Sequence, residues 1–340
     1  MCHTYPMAKV KKQSPRALPD LPKRSITIDT TRCPATLYLD SLEESGRRAM
    51  GILLEKVANL FGYERIEAMP WENLRYEHLA KIKSKLRTVK TQRGLKYSER
   101  TINMAVYAIR GVVKVAFNLK LLDIDDLQRL NQVKPLKIER LPAGRAVDMD
   151  ELELLFTTCM DDDKPAGVRD LAILNCLYIA GLRRSEIAKL TIDSFIVYKQ
   201  KQTRKRYAEF RFIGKGAKEA LCPIDDTALA AMDNWLALRG YEPGPLFCSI
   251  TKGGNINLQR HMSEQSIYNI VRSRSNQAGI PPLSPHDMRR SLATDLLNKQ
   301  KEPIKRVQQI MRHSDIRTTA IYIRDDEEEN RQAISTLRKS

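Results

Sequence analysis

Two imidazoles, a guanidinium and a phenol lie close together late in the chain, at His286, Arg289, His313 and Tyr322. Ser284-Pro285-His286-Asp287 reads as a helix start, with Ser284 as cap, Pro285 at the first helical position and Asp287 completing a capping box. At about 100° per residue, Met288, Leu292, Ala293, Leu296 and Leu297 form one apolar arc. Arg289 falls inside that arc and His286 at its edge. A cation on the buried side of a helix is costly unless an anion meets it. No nearby acid is obviously assigned to Arg289, which points to a partner from outside the chain. Ile304, Val307, Ile310 and Met311 then give a second helical stripe that stops at His313-Ser314. Ser314 is expected to cap a short helix on which Ile316 and Ile323 face inward, and Tyr322 ends it nine positions after His313. Ionisable and nucleophilic groups set against a core are how active sites depart from ordinary patterning.

An upstream stretch supplies another candidate cation. Asp170 to Ile179 is apolar and helical and runs into Gly181-Leu182-Arg183-Arg184-Ser185-Glu186. Gly181 is suited to end one helix and Ser185 to cap the next, with Glu186 in its first turn, so Arg183 is held in a tight turn between helices. Glu186 is equally placed to be its plain salt-bridge partner. Three strand-like runs follow, Phe195 to Tyr198, Tyr207 to Ile213 and Ala220 to Ile224. The last two are joined by Gly214-Lys215-Gly216-Ala217-Lys218, a turn whose glycines let a lysine project.

His-x-x-Arg, a His-Ser pair 24 residues after Arg289, a tyrosine nine beyond that and an upstream Gly-Leu-Arg-x-Ser-Glu together resemble the tyrosine recombinases, the phage-integrase family. The resemblance covers about residues 34 to 330 and is specific only in the second half. It implies a mainly α protein with a small antiparallel β-sheet (α+β). An N-terminal helical, SAM-like core-binding domain would precede a C-terminal tyrosine-recombinase catalytic domain. It assigns the catalytic roles to Arg183, Lys215, His286, Arg289, His313 and Tyr322, with Glu186 supporting and Lys218 the fallback for Lys215. The implied reaction is site-specific cleavage and rejoining of DNA through a 3′-phosphotyrosyl intermediate. Tyr322 attacks a phosphodiester, the two arginines and His313 hold the charged oxygens, His286 relays the phenol proton, and Lys215 protonates the leaving 5′-oxygen. Two positions depart from the family pattern. Ala180 replaces a threonine, and Arg312 stands where glycine commonly precedes the motif histidine; if that residue is left-handed, it costs roughly 1–2 kcal/mol.

The elements that must carry these residues divide into two domains. The 340 residues are 42% hydrophobic and 29% charged, ordinary for a soluble protein, but 58 Lys+Arg against 41 Asp+Glu give a net charge of +17. An excess of that size points to a polyanionic partner. Residues 1–33 read as a basic flexible arm, 34–133 as a helical DNA-clamp domain, 134–146 as a linker with two prolines and a glycine, 147–330 as the catalytic domain and 331–340 as a tail. Within the first domain, Ser45 to Phe61, Leu74 to Val89 and Ser98 to Leu121 have helical stripes, and the family implies a compact four-helix arrangement. Lys81, Lys83, Lys85 and Arg87 crowd the second of these helices and are assigned to DNA phosphates. So are Lys201, Arg204, Lys205 and Arg206 in a basic loop, and Arg272 and Arg274 on a helix from Ser263 to Gly279. Trp235, Leu236, Leu238, Leu246 and Phe247 read as core, His78 and His261 as surface residues, and Cys176 and Cys222 as buried thiols.

No Cys-x-x-Cys pairing or His cluster suggests a metal, and the chemistry requires no cofactor. With no signal peptide and no membrane-length apolar run, a cytoplasmic, nucleoid-associated protein is expected. The implied partner is double-stranded DNA at a specific recombination site, bound by a homotetramer on two such sites, with room for accessory DNA-bending or directionality factors. Phage integration, mobile-element transfer and chromosome-dimer resolution share this constellation. A type IB-like topoisomerase and a non-catalytic DNA-binding regulator are the competing readings. The intact set of polar positions argues against the regulator.

Overall fold

The computed structural model describes residues 32–91, 94–138, 144–200, 205–214 and 219–323. Internal contacts divide the chain into two units, Met1–Leu141 and Pro142–Ser340. Lys201, Arg204, Lys215, Lys218, the basic arm to residue 31 and the tail after 323 lie outside the described residues.

The first unit is helical because its apolar residues recur at helical spacing. Among the described residues it contains α1 (Pro34–Asp40), α2 (Glu44–Leu60), α3 (Tyr76–Thr88), α4 (Glu99–Asn118) and α5 (Ile124–Asn131), five helices where four were expected. On α4 the stripe Ile102, Val106, Ile109 and Val113 is wholly buried, and the other four helices pack around it. Ser98 starts α4 by accepting the Thr101 N–H at 3.2 Å. His78 is buried rather than superficial: its Nδ1 accepts the Arg75 N–H at 2.9 Å, capping α3, and its ring meets Phe61 edge-on. The unit extends into the expected linker. Lys83 Nζ donates to the Lys134 carbonyl at 2.8 Å, and the Asn103 amide exchanges two hydrogen bonds with Leu136.

The second unit begins where Arg145 N–H donates to Asp287 Oδ1 at 3.1 Å and Val147 N–H to Ser291 Oγ at 2.7 Å. Its core is laid on α7 (Pro165–Tyr178), whose Ala172, Ile173, Leu174, Cys176 and Leu177 are buried. Packed around α7 are α6 (Met149–Met160), α8 (Arg184–Ile187), α9 (Asp226–Arg239), α10 (Glu264–Gln277) and α11 (Pro285–Thr294). Trp235, Leu236, Leu246 and Phe247 join this core, but Leu238, at the edge of the apolar face of α9, is exposed. The strands β1 (Phe195–Lys199), β2 (Arg206–Ile213) and β3 (Glu219–Ile224) form an antiparallel meander. Ile213 pairs with Glu219 at the end of the β2–β3 ladder. A second hairpin, β4 (Cys248–Ile250) with β5 (Ile256–His261), had no clear alternation in the sequence.

After α11 the chain makes a π-helical turn, Asp295–Lys299, then α12 (Ile304–Ile310) and α13 (Ile316–Ala320). Leu292, Ala293, Val307, Met311 and Tyr322 form a small apolar cluster apart from the main core. Here the inward residues are Thr319 and Tyr322, while Ile316 and Ile323 are exposed. The expected facing was wrong because α13 is a single short turn capped by Asp315, not Ser314.

Candidate active site

Arg289 sits on α11 between its own helix and two turns, and only 3% of it is exposed. The helix is started by the capping pair read from the sequence, with Ser284 N–H and Oγ–H both donating to Asp287 Oδ2, at 2.8 and 2.7 Å. The guanidinium of Arg289 meets no carboxylate. Its Nη1 donates to the Gly181 carbonyl and its Nη2 to the Met311 carbonyl. Two dipoles orient the planar fork, and among the described residues no carboxylate forms an ion pair with it, the Glu186 charge acting only through space. Burial first, then the neighbouring Arg183 and Arg312 cations, push its pKa down to about 9. It is still protonated at neutral pH.

Arg183 is itself the cap residue of α8, a role expected for Ser185. Its backbone N–H donates to Glu186 Oε2 at 2.8 Å and its Nη1 to Glu186 Oε1 at 2.7 Å. Burial alone would raise the Glu186 carboxyl, but the Arg183 N–H, the Arg312 charge and the Arg183 side chain outweigh it and hold it below the usual carboxylate range. Gly181 has φ +55°, and a Cβ there would lie 2.7 Å from Leu292 Cδ2, so this turn needs glycine to bring its carbonyl against Arg289.

His313 Nδ1 pairs with Thr319 Oγ1 at 2.9 Å, which leaves Nε2 as the free edge of the ring. Burial and then Arg289, Arg183 and Arg312 lower its pKa to about 4, so it is neutral at physiological pH. The His313 and Tyr322 ring centroids are 6.3 Å apart. Tyr322 is 5% exposed, and Arg290 lies over its ring at 5.6 Å. Burial raises the phenol pKa, and Arg289, Arg290 and Arg183 oppose that shift. His286 is exposed as a residue, yet desolvation, with Arg289, Arg290 and Arg183, lowers its pKa against the opposing Asp287.

Two cavities adjoin this centre. One, of about 420 Å³, is lined by Arg183, Arg184, Tyr268, His286 and Arg289. Tyr268, outside any cationic cluster in the sequence, therefore lies beside one in space. The other, of about 620 Å³, is lined by Arg183, Glu186, Arg312 and His313. Gly214 and Glu219 line it too. Arg183, Glu186, His286, Arg289, His313 and Tyr322 are thus gathered in one region of the second unit.

The basic residues assigned to DNA behave differently from one another. Lys81 and Arg87 are exposed on α3, and Lys83 and Lys85 are half-buried. Lys205 makes a loose exposed pair with Asp226 at 3.7 Å, while Arg206 is held in a two-pronged contact with Asp233 at 2.7 and 2.8 Å. Arg272 is half-buried. Arg274 is not available to DNA: it is buried and donates to Asp170 at 2.9 Å and Asp162 at 2.7 Å. Its helical position gave no hint of this, because both acids are more than a hundred residues away.

The sequence reading also overlooked Thr319, which orients His313, and Arg290, which covers Tyr322. Their spacing from His313 and Arg289 was the available signal. Arg312 was flagged only as a departure. It does adopt the left-handed backbone, with φ +52°.

Among the described residues no group of His, Cys, Asp and Glu could hold a metal ion, and no helix is long and apolar enough to cross a membrane.

Comparison with known proteins agrees with this geometry. Tyrosine recombinase XerC of Actinobacillus pleuropneumoniae serotype 7 is 31% identical over 190 residues, 55% of this chain and 56% of the relative. Tyrosine recombinase XerD of Pseudomonas putida is 28% identical over 232 residues, 66% of this chain and 71% of the relative. The chain thus spans little more than half the length of the first of these. Among solved structures, XerH site-specific recombinase bound to palindromic difH substrate superposes with a TM-score of 0.59 at 20% identity, covering 86% of this chain and 78% of that one. That likeness establishes the fold, mainly helical with small antiparallel sheets. Residues 145–329, which hold every catalytic candidate, match the phage integrase family, and the chain belongs to that family.

Proposed function

We propose that this protein is a site-specific DNA recombinase that cleaves and rejoins strands through a covalent link to Tyr322. The observation that carries the reading is the unbalanced charge around Arg289. Two guanidiniums, of Arg183 and Arg312, pair with the carboxylate of Glu186, and that of Arg289 lies beside them with no ion pair of its own among the described residues. A phosphodiester supplies the missing negative charge, and its transition state supplies more. Forked guanidiniums suit the two nonbridging oxygens better than ammonium groups. Neutral His313 donates from Nε2 to one of those oxygens. Tyr322, protonated at rest, loses its proton as it attacks, with His286 as the relay. The phenol displaces the 5′-oxygen and keeps the phosphate bond energy, so a DNA 5′-hydroxyl reverses the step. Lys215 is the proposed donor to the leaving oxygen.

The proposed partner is a recombination site bound by four copies of the chain, two per duplex. The relative XerH is described as bound to its difH substrate, which supports DNA as the ligand here. The test uses a nicked duplex that traps cleaved product. The wild-type chain should form a protein–DNA adduct, and Tyr322→Phe should bind the same DNA without forming one. An adduct with the Phe variant would remove Tyr322 as nucleophile. Adduct formation on any supercoiled DNA, without sequence preference, would favour the topoisomerase reading.

A further inference from the structure

Arg312 is an expensive residue where it stands. A non-glycine side chain at φ +52° costs about 1 kcal/mol or more. Its guanidinium is largely buried, and its Nε is left without a hydrogen-bond partner. Strain of this kind persists only where the surroundings fix it. The contacts of Arg312 show where it is fixed. Its Nη2 donates to the Gly181 carbonyl at 3.0 Å and to Glu186 Oε2 at 3.1 Å. Its Nη1 reaches Cys222 Sγ on β3 at 2.8 Å, and its guanidinium lies over the Phe212 ring on β2 at 5.7 Å. The two acceptors on the helical side are already in use: Arg289 donates to that same Gly181 carbonyl, and Arg183 to that same Glu186 carboxylate. The Arg312 carbonyl in turn receives Arg183 Nη2 at 3.5 Å.

We propose that Arg312 is a positioning residue for strand cleavage, fixing the distance between the Arg183 and Arg289 guanidiniums by gripping an acceptor that each of them uses. This rests on the recombinase reading above. The grip is anchored on the β2–β3 sheet, so the arginine pair is referenced to a rigid element rather than to the two turns alone. Two forks must meet one phosphate, and a misplacement of about 1 Å costs a catalyst roughly 100-fold. Lysine cannot replace this function, because a single ammonium does not span the Gly181 carbonyl, Glu186 and Cys222 together.

The test compares wild type, Arg312→Gly and Arg312→Lys. Glycine fits the positive φ, so Arg312→Gly should melt at or near the wild-type temperature. It should bind the nicked duplex within about 3-fold of wild type, yet cleave it roughly 10- to 100-fold more slowly at saturating protein. Arg312→Lys should be impaired as well, and Glu186→Gln should add little to the Arg312→Gly defect, because both act through one carboxylate. In the DNA-free protein, the side-chain N–H resonances of Arg183 and Arg289 should be sharp in wild type and broadened in Arg312→Gly. Wild-type cleavage by the Gly variant would overturn the proposal. So would a defect explained wholly by weaker DNA binding, or by loss of folded protein. If the wild-type chain forms no adduct, the recombinase reading fails, and unchanged arginine resonances in Arg312→Gly would separately remove the positioning role.

Discussion

At the scale of single residues, the site is a set of groups held in the protonation state that the reaction needs, at some expense to stability. Arg289 shows it most clearly, since two carbonyls aim it and no ion pair neutralises it among the described residues. Arg289→Lys should keep the fold but lose roughly 100- to 1000-fold in cleavage at matched DNA occupancy, as when one preorganised donor is removed from a charged transition state. Near-normal cleavage by the Lys variant would make Arg289 a structural residue. His313 gives a pH signature. Its folded pKa of about 4 lies below the unfolded value of about 6.5, so the unfolded chain binds more protons between those limits. Stability is therefore complete above the unfolded value and declines as pH falls towards 4, with His286 shifted in the same direction. Urea midpoints should be lower at pH 5 than at pH 7, and His313→Gln should flatten that dependence. An unchanged slope in the Gln variant would place the titration elsewhere.

At the scale of elements, the local signals were legible and the long-range ones were not. The α11 start at Ser284-Pro285-His286-Asp287, the α4 stripe and all three strands of the meander could be read directly, because caps and periodicities are written in neighbouring residues. The burial of Arg289 was legible for the same reason, as a cation inside an apolar arc. Its carbonyl partners were not, since Gly181 is 108 residues away. Arg274 failed in the same manner. On α10 it resembles an ordinary solvent-facing basic residue, but Asp162 and Asp170 approach it from the start of α7 and the turn before it. Arg169 completes the network through Asp170 at 2.7 Å. Arg274→Ala should therefore destabilise the protein by about 3–5 kcal/mol, because the buried Asp170 and the partly buried Asp162 lose a partner. DNA affinity of the remaining folded protein should hardly change. Weakened DNA binding at unaltered stability would restore Arg274 to the DNA surface.

At the scale of the whole molecule, each unit has a core of its own, one laid on α4 and one on α7. Fragments 1–141 and 142–340 should each melt cooperatively when made separately. The larger fragment should bind DNA with a shallower salt dependence than the full chain, having lost the phosphate contacts proposed for Lys81, Lys83, Lys85 and Arg87. Non-cooperative melting of either fragment would show that its core is incomplete alone. Within the second unit, stability is unevenly distributed. The ring of Tyr322 does not belong to the α7 core. It lies in the small cluster with Leu292, Ala293, Val307 and Met311, joined to the larger core through the partly buried Tyr178. A cluster of that size should cost little to open, so hydrogen exchange should find the backbone amides of α12 and α13 released through a local opening, and those of α7 only on global unfolding. The proposed nucleophile is thus mounted on a small foldon, and its excursions should follow such local openings, microseconds to seconds, rather than global unfolding.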